Sequence, residues 1–313
     1  MCRWIVDADQ IQLNDFNSDI LYRNDLVNSF LNNDRILGIE APKGLGKTFL
    51  IKCKRIKSQE RGVKCIPQDA MCDILDKITL EESMYTYLND YTNWIDLWKI
   101  SICIAIIKSD VLSEEVLNDF LNLIKKKNNE LFCEIYGSLF INTPCQIMNH
   151  LINSKRNQVR TLQLLLPMFV SVIRKINQPI HIFIDKTDQA LRDNIHFISG
   201  ATNATRGPNN NSFWSYGQVA LGEAAYNIFI QNAHVKVYFT IRSEALMGAE
   251  LYTNLFLQIR SYVMKLEYNF TELKKMFEHY INIENDQYLV IPEEKKQNHQ
   301  KHLLVLNLFL MVM

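Results

Sequence analysis

Apolar positions along the chain alternate between helical and strand-like spacing. Over 18–31, SDILYRNDLVNSFL, residues Ile20, Leu21, Leu26, Val27, Phe30 and Leu31 recur near helical spacing behind a Ser-Asp cap, which predicts a helix. Arg35 to Glu40 then reads as a short strand, followed by a glycine-bearing turn and a helix from Lys47 to about Lys57. GVKCIP (62–67) fits a second strand. From about 80 to 178 the spacing is mostly helical. Trp94, Leu97, Trp98 and Ile100 lead into Ile102, Ile106 and Ile107, and Leu162 to Ile176 forms a helix interrupted at Pro167. A strand is expected at Ile180–Asp185, then an exposed loop over 199–212, SGATNATRGPNNNS, and a helix around Gln218–Gln231. The strand VKVYFTI (235–241) and helices at about 247–260 and 271–283 complete the pattern, with no internal repeat. Strands alternating with helices predict an α/β fold: a mostly parallel sheet flanked by helices, with a large helical insertion at about 80–178.

Composition narrows the class without naming a partner. Hydrophobic residues at 48% and charged residues at 22% describe a folded globular chain, and scarce glycine (10) and proline (7) favour helix-rich architecture. Lys+Arg and Asp+Glu are both 34, so net charge gives no support for a nucleic-acid or membrane partner. The seven cysteines (2, 53, 65, 72, 103, 133, 145) form no C-x-x-C pair. MCRWIVDADQ is not a signal peptide, so reduced thiols in a cytoplasmic protein are expected. The run LWKISICIAIIK is too short for a membrane span. The apolar tail HLLVLNLFLMVM fits a last core element, the stub of a further domain, or a membrane- or partner-binding segment equally well.

Candidate chemistry begins at APKGLGKT, Ala41–Thr48, which fits G-x-x-x-x-G-K-[ST] with Ala41 in place of the first glycine. A loop between strand and helix turns successive backbone N–H groups inward, and the helix N-terminus adds roughly +0.5 charge facing a phosphate. Ala41, Pro42, Lys43, Gly44, Leu45 and Gly46 would form the cradle, with Gly46 permitting close backbone approach. Lys47 would reach the β- and γ-phosphates, and the Thr48 hydroxyl would ligate Mg²⁺. The strand before the loop and the helix after it supply the context such a loop needs.

A phosphate loop calls for an acid on a second strand, and Asp185, closing the apolar run Ile180–Ile184, is the candidate for the metal. The following position, where a second acid commonly orients the attacking water, is Lys186. An ammonium cannot accept a proton, and beside a metal ion it would be repelled by on the order of several kcal/mol. Lys186 should therefore turn away or pair with Asp188, and the water-positioning acid would be Asp188 or come from another segment. Asp185-Lys186-Thr187-Asp188 is also one residue from N-K-x-D, in which the last Asp reads guanine. Its companion D-x-x-G is absent between Thr48 and Ile180, so ATP is favoured over GTP. The strand 235–241 ends in Thr240-Ile241-Arg242, where a polar residue can sense a γ-phosphate and arginine adds a permanently charged donor fork.

EAPKGLGKT, IHIFIDKTDQA and VYFTIRSEA together resemble the additional-strand P-loop ATPases, specifically the AAA/STAND-like signalling and defence ATPases, over about residues 20–285. YRNDLVNSF resembles the helix that leads into their core. The resemblance implies ATP and Mg²⁺ binding, nucleotide-controlled homo-oligomerisation or coupling to an effector protein, and a role in bacterial antiviral systems. It gives Lys47 and Thr48 the phosphate and Mg²⁺ roles, Asp185 the metal role and Arg242 the sensor role. The implied organisation is a helical leader (1–34), a P-loop NTPase core (35–245) and a C-terminal helical lid (246–313) that stops short of further domains. A module that binds nucleotide without hydrolysing it is the alternative that Lys186 suggests.

The other features have plainer readings. His181 is expected as a hydrogen-bonded core residue, Trp94 and Trp98 as a core stripe, and Lys125–Lys127 as a solvated helix end. Arg206, in the Asn-rich loop, reads as solvated rather than as an arginine finger. No H-E-x-x-H or cysteine pair indicates zinc.

Overall fold

A computed structural model of the chain describes residues 21–66, 78–187, 195–197, 210–249 and 259–284. The chain divides into two compact units, Arg23–Glu267 and a second made of Met1–Tyr22 with Tyr268–Met313. Among the described residues, the larger unit has seven parallel-paired strands: β1 (Gly38–Glu40), β2 (Lys64–Ile66), β3 (Ile78–Leu80), β4 (Ile180–Ile184), β5 (Ile195–Phe197), β6 (Val235–Ile241) and β7 (Val263–Lys265). Five of them form one all-parallel sheet in the order β2-β4-β6-β1-β7. β4 is buried along its whole length and β6 at every position but Lys236, as befits central strands covered on both faces.

Helices fill the connections. They are α1 (Asp25–Asn32), α2 (Lys47–Glu60), α3 (Glu82–Leu88), α4 (Tyr91–Lys108), α5 (Glu114–Lys127), α6 (Glu130–Gly137), α7 (Pro144–Ile152), α8 (Arg156–Gln163) and α9 (Leu166–Arg174). After β5 come α10 (Asn210–Gln231) and, beyond β6, α11 (Ser243–Ala249). In the smaller unit α12 spans Phe270–Glu284, and the Tyr22 ring meets His279 edge-on. α3 to α9 occupy the predicted insertion, and Pro167 opens α9 where the sequence placed its interruption. Ser113 and Asn129 cap α5 and α6, and Thr143 with Gln146 forms a reciprocal capping box on α7. Trp94 and Trp98 lie fully inside, their ring N–H groups donating to Leu88 and Gly217 carbonyls at 2.8 Å each. Lys125, Lys126 and Lys127 are exposed in the last turn of α5.

Several features depart from the sequence expectations. β3 and β5 form a separate two-stranded parallel sheet, and β7, inside the region expected as a lid, is an edge strand of the main sheet. Runs of three residues carry too little periodicity of their own, and β3 and β7 lack the adjoining glycine turn that marks the equally short β1 and β2. α10 starts at Asn210, within the predicted loop, because Phe213 and Tyr216 pack against Tyr85, Trp94 and Tyr91 behind the asparagine run. Cys53, Cys65, Cys103 and Cys133 are free thiols, whereas Cys145, expected to be reduced, is disulfide-bonded. The tail 302–313 and Arg206, expected in a loop, lie outside the described residues.

At the N-terminal edge of the sheet a polar cluster ties α1 to α2. Lys54, fully buried, donates to the Phe30 and Leu31 carbonyls at the end of α1 (2.9 and 3.2 Å) and to Asp34 (2.8 Å). Asp34 also pairs with Arg61 at 3.0 Å and Lys236 at 3.5 Å. Burial alone would raise the Asp34 carboxyl, but hydrogen bonds from Arg61 and Lys54 outweigh it and hold the group well below the usual range. Burial pushes Lys54 down to about 8 against the opposing pull of Asp34. His181 lies beside this cluster, hydrogen-bonded in the core as its place in the strand predicts, with Nδ1 2.9 Å from Ser58 Oγ.

Among the described residues, no helix is long and apolar enough to cross a membrane.

Candidate functional site

All strands of the main sheet run the same way, so their C-terminal ends lie along one edge, where open α/β sheets form their crevices. Register then decides which residues meet. Gly38, Ile39 and Glu40 of β1 pair with Phe239, Thr240 and Ile241 of β6, while Ile184 of β4 pairs with Phe239 from the other side. One step further along, Asp185 stands beside Thr240 and Ala41 beside Arg242. The Ala41 N–H reaches the Ile241 carbonyl at 3.2 Å, which anchors the start of the loop to β6.

From Ala41 the chain leaves β1 and enters α2 through two left-handed glycines, Gly44 at φ +90° and Gly46 at φ +85°. Space does not demand glycine there, since a Cβ at either position would meet nothing within 4 Å; the backbone conformation does. Gly46 is the N-cap of α2 and supplies no side-chain capping bond. Its first N–H groups therefore have no capping oxygen from that residue, and the dipole end of a 14-residue helix faces the loop. Lys47 arches back across the turn, its Nζ donating to the carbonyls of Ala41 and Pro42 at 2.7 Å each. Pro42, Lys43 and Gly44 are exposed, and Leu45 and Thr48 are half-buried.

Upstream, Gly38 serves packing. A Cβ on it would lie 2.5 Å from the Phe239 ring, and one on Gly222 of α10 would lie 3.1 Å from the same ring. Phe239 is thus sandwiched between two glycine backbones immediately behind the loop.

Asp185 is 2% exposed. One carboxylate oxygen accepts the Thr240 hydroxyl, and the other is buried with no hydrogen-bond partner among the described residues. Among the described residues, the hydroxyl of Thr187, 1% exposed, also has no partner, nor has that of Ser243 at the start of α11. Unpaired buried polar atoms are uncommon in folded chains, and three of them stand at the C-terminal ends of two adjacent strands. Lys186 is half-buried and left-handed, at φ +58°, between the buried side chains of Asp185 and Thr187. Asp188 lies outside the described residues.

Arg242 is held by its backbone. Its N–H donates to Gln218 Oε1 at 3.0 Å, and Gln218 itself is anchored by a 3.2 Å bond from Nε2 to the Trp214 carbonyl. The guanidinium carbon stands 6.0 Å from the centre of the Trp214 ring, within cation–π reach. Gln218, Thr187 and Ser243 went unnoticed as site residues in the sequence. Nothing in their spacing marks them; only the topology brings them to this edge.

A cavity of about 210 Å³ between α4 and α10 lies apart from this edge, lined by Thr92, Asp96, Lys99, Glu223 and Tyr226 among others. It contains none of the loop residues or strand-end acids. Asp96 is engaged by Lys99 at 3.6 Å and Gln163 at 2.6 Å. Burial raises the Glu223 carboxyl toward its neutral form. Among the described residues, no group of three or more His, Cys, Asp or Glu could hold a metal ion unaided.

No family model matches the chain, and neither a curated protein nor a solved structure matches it. What can be stated of its class is therefore its architecture: an α/β chain with a five-stranded, all-parallel sheet flanked by helices.

Proposed function

We propose that this edge of the sheet binds Mg²⁺–ATP and that the chain is a nucleotide-dependent switch. One juxtaposition carries the reading. A helix N-terminus whose N-cap is a glycine, entered through two left-handed glycines, stands across one strand from a buried carboxylate with an oxygen unpaired among the described residues. The order β4-β6-β1 also suits the additional-strand class that the motifs resemble, with β6 as the extra strand between the loop strand and the acid strand.

The residues present fit the ligand. The backbone N–H groups of Gly44–Thr48 and the α2 dipole suit polyphosphate. Lys47 is satisfied by two neutral carbonyls, and a charged phosphate oxygen offers a stronger acceptor. The Thr48 hydroxyl and the free oxygen of Asp185 would hold Mg²⁺, which takes one or two protein ligands plus substrate oxygens and water. When bound, that ion neutralises charge on the β- and γ-phosphates. Arg242, its main chain fixed by Gln218, supplies a donor fork toward the terminal phosphate. The signalling or antiviral role rests on the resemblance of the three motifs alone. Lys186 in place of an acid favours a second reading, a module that holds nucleotide without cutting it.

Equilibrium binding of ATP and GTP, with and without Mg²⁺, tests the assignment. Mg²⁺–ATP should bind, and Lys47→Ala should weaken it at least about tenfold, the loss of ~1.4 kcal/mol expected for one charge-assisted contact. Equal binding by Lys47→Ala would remove the assignment. A preference for GTP that disappears on Asp188→Asn would transfer it to guanine.

A further inference from the structure

Thr187 is 1% exposed, and its hydroxyl has no partner among the described residues. Among the described residues nothing replaces the hydration that such a group gives up on folding, so valine, of nearly the same shape, would pack there at lower cost. The residue follows Asp185 by two positions, and Asp185 carries the other unpaired oxygen of this strand end. Left-handed backbone at Lys186 leaves that lysine nearer solvent while both flanking side chains stay inside. Two unsatisfied oxygen functions, one anionic and one hydroxyl, thus stand at the end of β4, where the position between them cannot accept a proton.

We infer that Thr187 orients the water that attacks the terminal phosphate of bound ATP, the task for which Lys186 is unsuited. The inference rests on the nucleotide reading above. A hydroxyl has two acceptor sites and one donor, so it can accept a hydrogen bond from water while donating to a γ-phosphate oxygen. It is too weak a base to remove the proton, and Thr187 is therefore a positioning residue. In the step it serves, the water oxygen bonds to the γ-phosphorus as the bond from that phosphorus to the β–γ bridging oxygen breaks. The electron pair of the broken bond remains on that oxygen, which leaves with ADP. One water proton passes to a γ-phosphate oxygen, and the product phosphate releases it to solvent.

The test uses the full chain and compares the parent with Thr187→Val, Thr187→Ser and Lys47→Ala. Three quantities are measured: Mg²⁺–ATP affinity by displacement of a fluorescent analogue, single-turnover phosphate release, and melting temperature without nucleotide. Thr187→Val should bind within about twofold of the parent and release phosphate ~10- to 100-fold more slowly, the size of effect that mispositioning produces. Its melting temperature should be unchanged or higher, and Thr187→Ser should recover most of the rate. Parent-like phosphate release by Thr187→Val overturns the inference, as does a joint loss of affinity and melting temperature, which would mark a structural hydroxyl. A parent that binds Mg²⁺–ATP without cleaving it overturns the inference and leaves the nucleotide reading standing. Unimpaired binding by Lys47→Ala removes both.

Discussion

Asp185→Asn should make the chain more stable and a poorer partner for Mg²⁺–ATP. Asp185 is 2% exposed, with one oxygen bonded by Thr240 and the other unpaired. A buried acceptor without a partner costs about 1–3 kcal/mol, and more when it is charged. Asparagine preserves the shape and keeps an oxygen for Thr240 while removing the anion. Its amide still lacks an acceptor, so the gain falls at the lower end, about 1–2 kcal/mol. For a domain of this size that is a rise of about 2–8 °C in melting temperature. The ligand works in the opposite direction. Nucleotide at a hundred times Kd stabilises by about 2.7 kcal/mol. A tenfold loss of affinity removes ~1.4 kcal/mol of that. Thermal scans with ATP, with Mg²⁺–ATP and with chelator should therefore show the variant melting higher without ligand and the parent gaining more with it. A variant that melts lower than the parent and gains as much from Mg²⁺–ATP would refute the reasoning. Asp185 would then be an ordinary structural acceptor for Thr240.

Two further outcomes test the scaffold behind the site. Gly38→Ala places a Cβ 2.5 Å from the Phe239 ring, itself confined by Gly222, so it should destabilise by about 1–3 kcal/mol in denaturant titrations; an unchanged midpoint would show that the ring moves freely. His181 should make stability fall with acid. Ser58 Oγ spends its proton on the Lys54 carbonyl at 2.8 Å, so His181 Nδ1–H donates to it, and burial, aided by Lys236, lowers the imidazole to about 3 from an ordinary value of 6.5. Between those values the unfolded chain binds a proton that the folded chain refuses, so this contribution is complete above 6.5 and is lost as pH falls toward 3. From pH 7 to 5 the loss is about 2 kcal/mol, and His181→Gln should flatten the unfolding free energy by that amount over the same range.

How much of this was legible in the sequence depended on how local each signal is. The Ala41–Thr48 loop could be read because its strand, left-handed glycines and helix are contiguous. β4 and β6 could be read because buried parallel strands are continuous apolar runs. β3, β5 and β7 could not: they are no shorter than β1 and β2, but no adjoining glycine turn marks β3 or β7, and pairing with a distant partner, rather than local propensity, makes all three strands. The start of α10 was masked by an asparagine run whose helical conformation comes with aromatic packing against α3 and α4. The disulfide at Cys145 had no spacing signature.

The site divides along the same line. Lys47, Thr48, Asp185 and Arg242 were recognisable by position within motifs, but the partner of each depends on strand order, which no motif states. In an arrangement with β4 directly beside β1, Asp185 would face the loop strand itself. With β6 between them, its neighbour is Thr240, and Thr240 is in turn paired through its backbone with Ile39 of β1. The acid is therefore coupled to the loop strand through one residue of β6, two positions before Arg242. On the proposed reading, whatever draws Asp185 toward a ligand also pulls on Thr240, on the ladder that holds Ala41, and on the backbone of Arg242 that Gln218 grips. A switch needs two sites that report to each other through a packed, continuous element. On that reading β6 is the element, with the Ala41–Thr48 loop on one side and Asp185 on the other.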